Sequence, residues 1–242
     1  MMGPTHALSA GVVFLAIAAP LSHNVHHLTP VTAAVGTVVA AGAGLLPDLD
    51  HPRATPARAF GPLSAGAAWT IGKVTGGHRH GTHSFIGIAV FTALAVAATH
   101  NLWALTAALW LCMGLAVRSL WRRPSNRPNG RFDYRDVAGI VHAAIAAYVA
   151  YRLTHSGLDM EVVPWAITVG YVTHLIGDSM TESGVNWCWP SRRRYRIASI
   201  DTGKSVEKWV VVPSLYVGLG AVVYLTHAKW APALMHTITP VR

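Results

Sequence analysis

A chain of 242 residues that is 52% hydrophobic and only 12% charged is not composed like a water-soluble globule, in which about 25% of residues carry charge. Its two cysteines, Cys112 and Cys188, form no CxxC pair and exclude a disulfide framework. The net charge of +9 would suit nucleic acid, but the basic runs lack the regular aromatic interleaving of a base-stacking platform, and no specific nucleic-acid binding is expected.

Apolar runs fall at about residues 6–21, 29–46, 84–99, 102–117, 137–153, 163–180 and 209–226. Each holds roughly 16–18 residues, or about 24–27 Å of helix, against a hydrocarbon core of about 30 Å. They predict an all-α fold: a multi-span transmembrane helical bundle of about seven spans. The first run has no Lys or Arg before it, Arg53 being the first in the chain, so it reads as a retained helix and not a cleaved signal. The second, with AAVGTVVAAGAGLL at 33–46, is rich in small residues that let helix backbones approach in lipid. Residues 51–77, with Pro52, Pro56, Pro62 and the Gly76–Gly77 pair, read as a connection, and RRPSNRPNGRFDYRD at 122–136 reads as a polar, mobile loop. No fixed-period repeat interrupts this pattern, so one domain spanning 1–242 is expected, with a motif-bearing core over 1–189 and a basic loop and final span over 190–242.

The basic residues order these spans. Cytoplasmic loops collect Lys and Arg. With the N-terminus inside, all of the 19 except Arg152, Lys229 and Arg242 fall in inner loops. The expected location is therefore the inner (cytoplasmic) membrane, multi-pass, with membrane lipids as partners through their anionic headgroups.

The ten acidic residues matter because a carboxylate near hydrocarbon is costly unless it is compensated. Asp48 and Asp50 stand in LLPDLDHP at the end of the second run, followed by His51. His78, His80 and His83 crowd into HRHGTHSF just before the third. His174 and Asp178, four residues apart in HLIGDSMTESG, share a helix face that Glu182 is expected to continue. In the seven-span topology these groups, with His6 at the start of the first span, all reach the cytoplasmic helix ends. Imidazole and carboxylate donors together suit a divalent metal, Zn²⁺ first, with Mn²⁺ or Fe²⁺ as alternatives and one or two ions. Such a metal can activate water for hydrolysis near neutral pH.

Other candidates carry less. His23, His26 and His27 have no carboxylate nearby, and His100, His142, His155, His227 and His236 have none at ligand spacing. Trp187 and Trp189 read as interfacial anchors. Neither Ser84 nor Ser179 stands in GxSxG.

The pieces TH at 5–6, LPDLDH at 46–51, HRHGTHS at 78–84 and HLIGDSMTESG at 174–184 resemble the YdjM-like family, described as LexA-binding, inner-membrane, metal-dependent hydrolases. That family is distantly similar to zinc-dependent phospholipase C. The resemblance implies His6 and Asp178 at one metal and Asp48 or Asp50, His83, His174 and Asp178 around another, with Asp178 bridging. The chain lacks a later His/Glu cluster, so a third metal is not implied. The expected activity is hydrolysis of a phosphoester in a lipid or lipid-linked substrate. Glu182 or His80 would move the proton, and Arg79 would hold a phosphate oxygen. The competing expectations are a metal-handling transporter and a noncatalytic membrane scaffold with a structural metal.

Overall fold

The computed structural model describes residues 1–21, 29–120, 134–155, 159–191 and 193–238. Within them the fold is all-α: α1 (Gly3–Leu21), α2 (Pro30–Ala43), α3 (Thr55–Arg58), α4 (Pro62–Val74), α5 (Phe85–Thr99), α6 (Leu102–Leu120), α7 (Tyr134–His155), α8 (Val162–Ser179) and α9 (Val212–Ile238), with short 3₁₀ turns at Leu46–Asp50 and Gly81–His83. Every apolar run forms a helix. Three stretches, Pro30–Asp50, Leu102–Leu120 and Glu207–Thr226, are long and apolar enough to cross a membrane, and Gly3–Ala18 and Phe85–Thr99 are shorter apolar helices. His23, His26, His27 and most of the 122–136 loop lie outside the described residues.

α2 and α8 form the centre of the bundle. α2 packs against α1, α6 and α8, and α8 also contacts α1 and α5. Small residues permit this closeness. A Cβ on Gly42 would run into the Cys112 backbone of α6, and one on Gly170 would meet the Ala40 carbonyl of α2. Around these crossings Phe14, Leu45, Leu105, Leu109, Leu115, Leu153, Tyr171 and Leu175 are fully enclosed. By contrast, Trp103 on α6 and Trp209, Val217, Tyr224 and Leu225 at the C-terminal end stay largely exposed. Large apolar side chains facing outward in this way suit a lipid surround.

The 51–77 connection differs from its reading as a plain linker, because α3 and α4 form within it. Pro56 and Pro62 stand in the first turns of these helices, where a missing N–H costs nothing and a fixed φ favours the helix. α4 packs on the Leu46–Asp50 turn and so roofs the segment that carries both aspartates.

Candidate metal centre

Four chain segments deliver the polar residues to one end of the bundle. α1 brings His6 in its first turns. After α2 ends, Pro47 opens the 3₁₀ turn Leu46–Asp50, which presents Asp48 and Asp50 on successive sides. The second turn, Gly81–His83, precedes α5, and Ser84 caps that helix by accepting from the Gly87 amide at 3.3 Å while donating to the Gly81 carbonyl at 2.6 Å. The last turn of α8 supplies His174 and Asp178. Tyr171, one turn earlier, donates to the Thr82 carbonyl at 2.6 Å and ties the second turn to α8.

Asp48, His83, His174 and Asp178 meet with one donor atom each facing inward. His83 Nε2 and His174 Nε2 are 3.3 Å apart. Asp48 Oδ1 lies 3.7 Å from each nitrogen, and Asp178 Oδ2 lies 3.6 Å from each. A tetrahedron with metal–ligand bonds of about 2.0–2.1 Å has edges of about 3.3–3.4 Å, so these separations fit a single Zn²⁺-sized ion after a small contraction. His83 and His174 are fully buried and Asp178 nearly so, while the Asp48 side chain is 18% exposed.

The outward side of each imidazole is also held. His174 Nδ1 donates to the Gly44 carbonyl at 2.7 Å, which leaves Nε2 as the inward lone pair. His83 Nδ1 lies 3.0 Å from Thr82 Oγ1, whose hydroxyl donates to Asp50 Oδ2. Burial disfavours the charged form of His83, but the carboxylates of Asp48 and Asp50 outweigh it, and its pKa is pushed up to about 9.

Asp178 uses both oxygens. Oδ2 faces the two histidines and accepts from Arg79 at 2.9 Å, whereas Oδ1 lies 3.1 Å from His6 Nε2 and 3.0 Å from the Met1 amine. His6 stacks on His174 with ring centroids 3.8 Å apart, outside the four-atom group.

The remaining candidates are sorted by backbone geometry. Glu182 does not continue the His174–Asp178 face, because α8 stops at Ser179; it is exposed, near Asp201 and Lys204. Arg79 is engaged with Asp178 and donates to Thr181 Oγ1 and the Gly184 carbonyl, each at 3.1 Å. His80 is half-buried and belongs to neither donor group, whereas His78, which sequence reasoning gave no role, has Nδ1 2.8 Å from Asp50 Oδ1. Asp50, His78 and His83 thus form a second, smaller group. His100 caps the C-terminal end of α5, the end opposite the Gly81–His83 turn, and His155 ends α7; neither belongs to a donor group. Trp187 serves packing near the site: its indole donates to Ser179 Oγ at 2.9 Å and its ring tilts against Phe85.

A cleft of about 260 Å³ opens beside Asp48, lined also by Met2, Gly3, Thr55, Arg53 and Arg118. Charge counting had assigned both arginines to membrane topology, and no spacing rule marks them as neighbours of the site.

Apolar helices able to cross a bilayer, with a buried His/Asp cluster gathered at one end, define a helical membrane protein with a candidate metal centre. The chain belongs to the YdjM inner membrane protein family, whose model matches residues 1–121 and 137–238. No curated protein and no solved structure gives a significant match.

Proposed function

We propose that this protein is a metal-dependent hydrolase of the inner membrane, acting on a phosphoester of a lipid or lipid-linked substrate. The observation that carries the reading is the four-atom group of Asp48, His83, His174 and Asp178, whose spacing fits one tetrahedral divalent ion, Zn²⁺ before Mn²⁺ or Fe²⁺. When bound, such an ion would activate water and polarise the phosphoester. The chain's own residues orient that chemistry. The Gly44 carbonyl fixes His174, the Thr82–Asp50 pair fixes His83, and Arg79 steadies Asp178 from the other side. Asp48, the most exposed of the four, connects the group to the cleft through which a headgroup would approach. His78, with its side chain 33% exposed and bonded to Asp50, is better placed than Glu182 to pass a proton between the site and solvent; His80 is a further candidate.

One observation favours a second reading. Four protein donors close a tetrahedral shell, the arrangement of a structural metal site. Turnover separates the two: metal-loaded protein that hydrolyses a phosphoester, with loss of hydrolysis in Asp48→Asn, supports the enzyme, whereas full metal occupancy without turnover across phosphomonoester and phosphodiester lipids supports the scaffold.

The multi-pass topology with the site toward the cytoplasm belongs to the same proposal and rests on the distribution of Lys and Arg. Topology reporters fused after Phe60, Pro128 and Ile200 are expected to read cytoplasm in all three; an outer location for any one overturns the shared face.

A further inference from the structure

We propose that the cleft beside Asp48 is an anion subsite in which Arg53 and Arg118 hold a phosphate group; the inference rests on the hydrolase reading and names where its substrate binds. Both arginines line the cleft, and among the described residues no carboxylate forms an ion pair with either. Arg118 extends from the last turn of α6. It donates to the Ala59 carbonyl and lies over the Phe60 ring, its guanidinium carbon 4.9 Å from the centroid. It is therefore held in place with donors to spare. Arg53, on the segment after the Leu46–Asp50 turn, makes no side-chain hydrogen bond or ion pair among the described residues, which leaves its guanidinium available to a ligand.

Two uncompensated cations at one end of an apolar bundle call for an anion, and a guanidinium fork matches phosphate oxygens in pairs. Among the described lining residues Asp48 is the one carboxylate, and it would repel a phosphate unless its charge were committed to a cation. Phosphate binding here is accordingly coupled to metal binding, and the bound phosphate lies next to the carboxylate that joins the cleft to the four-atom group. A cleft of about 260 Å³ takes a phosphate with a small headgroup, while acyl chains would remain in the bilayer. Arg79, already committed to Asp178, is replaced in this role by the pair on the cleft.

The test is calorimetric titration of inorganic phosphate into the purified, Zn²⁺-loaded full chain, comparing wild type with Arg53→Gln, Arg118→Gln and Arg58→Gln, with metal content measured for each. Arg58 lies outside the cleft lining. The expected result is phosphate affinity weakened about tenfold or more in each cleft variant, unchanged in Arg58→Gln, with metal content equal throughout. Because Arg53 has no partner to lose among the described residues, its variant keeps the test valid if Arg118→Gln folds poorly. A second arm uses protein in phosphatidylcholine vesicles with and without phosphatidic acid. Competition by phosphatidic acid that depends on the same arginines assigns the subsite to a lipid headgroup, and its absence assigns it to a soluble phosphate. Equal phosphate affinity in wild type and Arg53→Gln, or no phosphate binding to metal-loaded wild type, overturns the subsite. Wild type that takes up no metal overturns the hydrolase reading instead; Arg53-dependent phosphate binding to that protein would keep the arginine subsite but overturn its coupling to metal.

Discussion

His83 and His174 point their Nε2 atoms at each other across 3.3 Å, while two carboxylate oxygens flank the pair at 3.6–3.7 Å. With both Nδ1 atoms directed to outer acceptors, two lone pairs and two anionic oxygens converge, and only a cation or a proton can sit among them. Arg79 and the Met1 amine balance Asp178 from outside but do not enter the space between the rings.

That competition sets a pH dependence. Without metal, the His83 pKa is raised to about 9 in the fold against about 6.5 unfolded, so its protonation stabilises the metal-free protein fully below about pH 6.5, and this contribution is lost as pH rises through about 9. Metal must displace this proton. Apparent metal affinity is expected to rise by roughly tenfold per pH unit up to about pH 9, measured by chelator competition; an affinity flat between pH 6 and 8 would contradict it.

Thr82→Val removes the hydroxyl that links His83 Nδ1 to Asp50 without altering a metal donor. Metal affinity is expected to fall about 10–100-fold while the stoichiometry at saturation is retained. Chelator competition reads both quantities, and wild-type affinity would show that Asp50 does not act through Thr82.

Arg79 holds Asp178 and the 181–184 turn together at 14% exposure. Arg79→Ala leaves a buried carboxylate with less compensation, and a loss of about 3 kcal/mol is expected in metal-free protein by thermal unfolding in detergent. The loss should shrink when metal is bound, because the ion takes over part of that compensation.

Two glycines should respond oppositely. A Cβ at position 42 would collide with the Cys112 backbone, so Gly42→Ala is expected to destabilise by about 1–3 kcal/mol. Gly66 on α4 has open space around its would-be Cβ, and Gly66→Ala should stabilise by about 0.5–1 kcal/mol through helix propensity. Unfolding midpoints of the two variants check this directly.

Hydropathy and charge cost made much of the fold and the donor set legible in the sequence. An apolar run long enough for a helix has few other ways to satisfy its backbone, and an acid at its end needs a partner; by that logic Asp48, His83, His174 and Asp178 are neighbours, and the structure puts them in one group, with Asp50 in the second group and His6, which the family resemblance supplied as a ligand, against Asp178 outside both. What escaped it depends on local backbone. Pro56 and Pro62 signal a break as readily as a helix start, so α3 and α4 were hidden. Among His78, His80 and His83 no periodicity selects the inward rings, because Gly76, Gly77 and Arg79 all take positive φ and the segment follows neither a helix nor a strand. Glu182 was misplaced by extending a helical face past the end of α8. Arg53 and Arg118 share a cleft only through tertiary packing.

The most direct measurement is the metal content, by elemental analysis, of detergent-purified wild type, His174→Ala and Asp178→Asn, each confirmed folded. The expected result is one or two divalent ions per wild-type chain and loss of bound metal in both variants. Wild type that remains metal-free after purification without chelators and reloading with Zn²⁺ and Mn²⁺ would contradict the metal centre, leaving the His/Asp cluster as a proton-sharing element of helix packing.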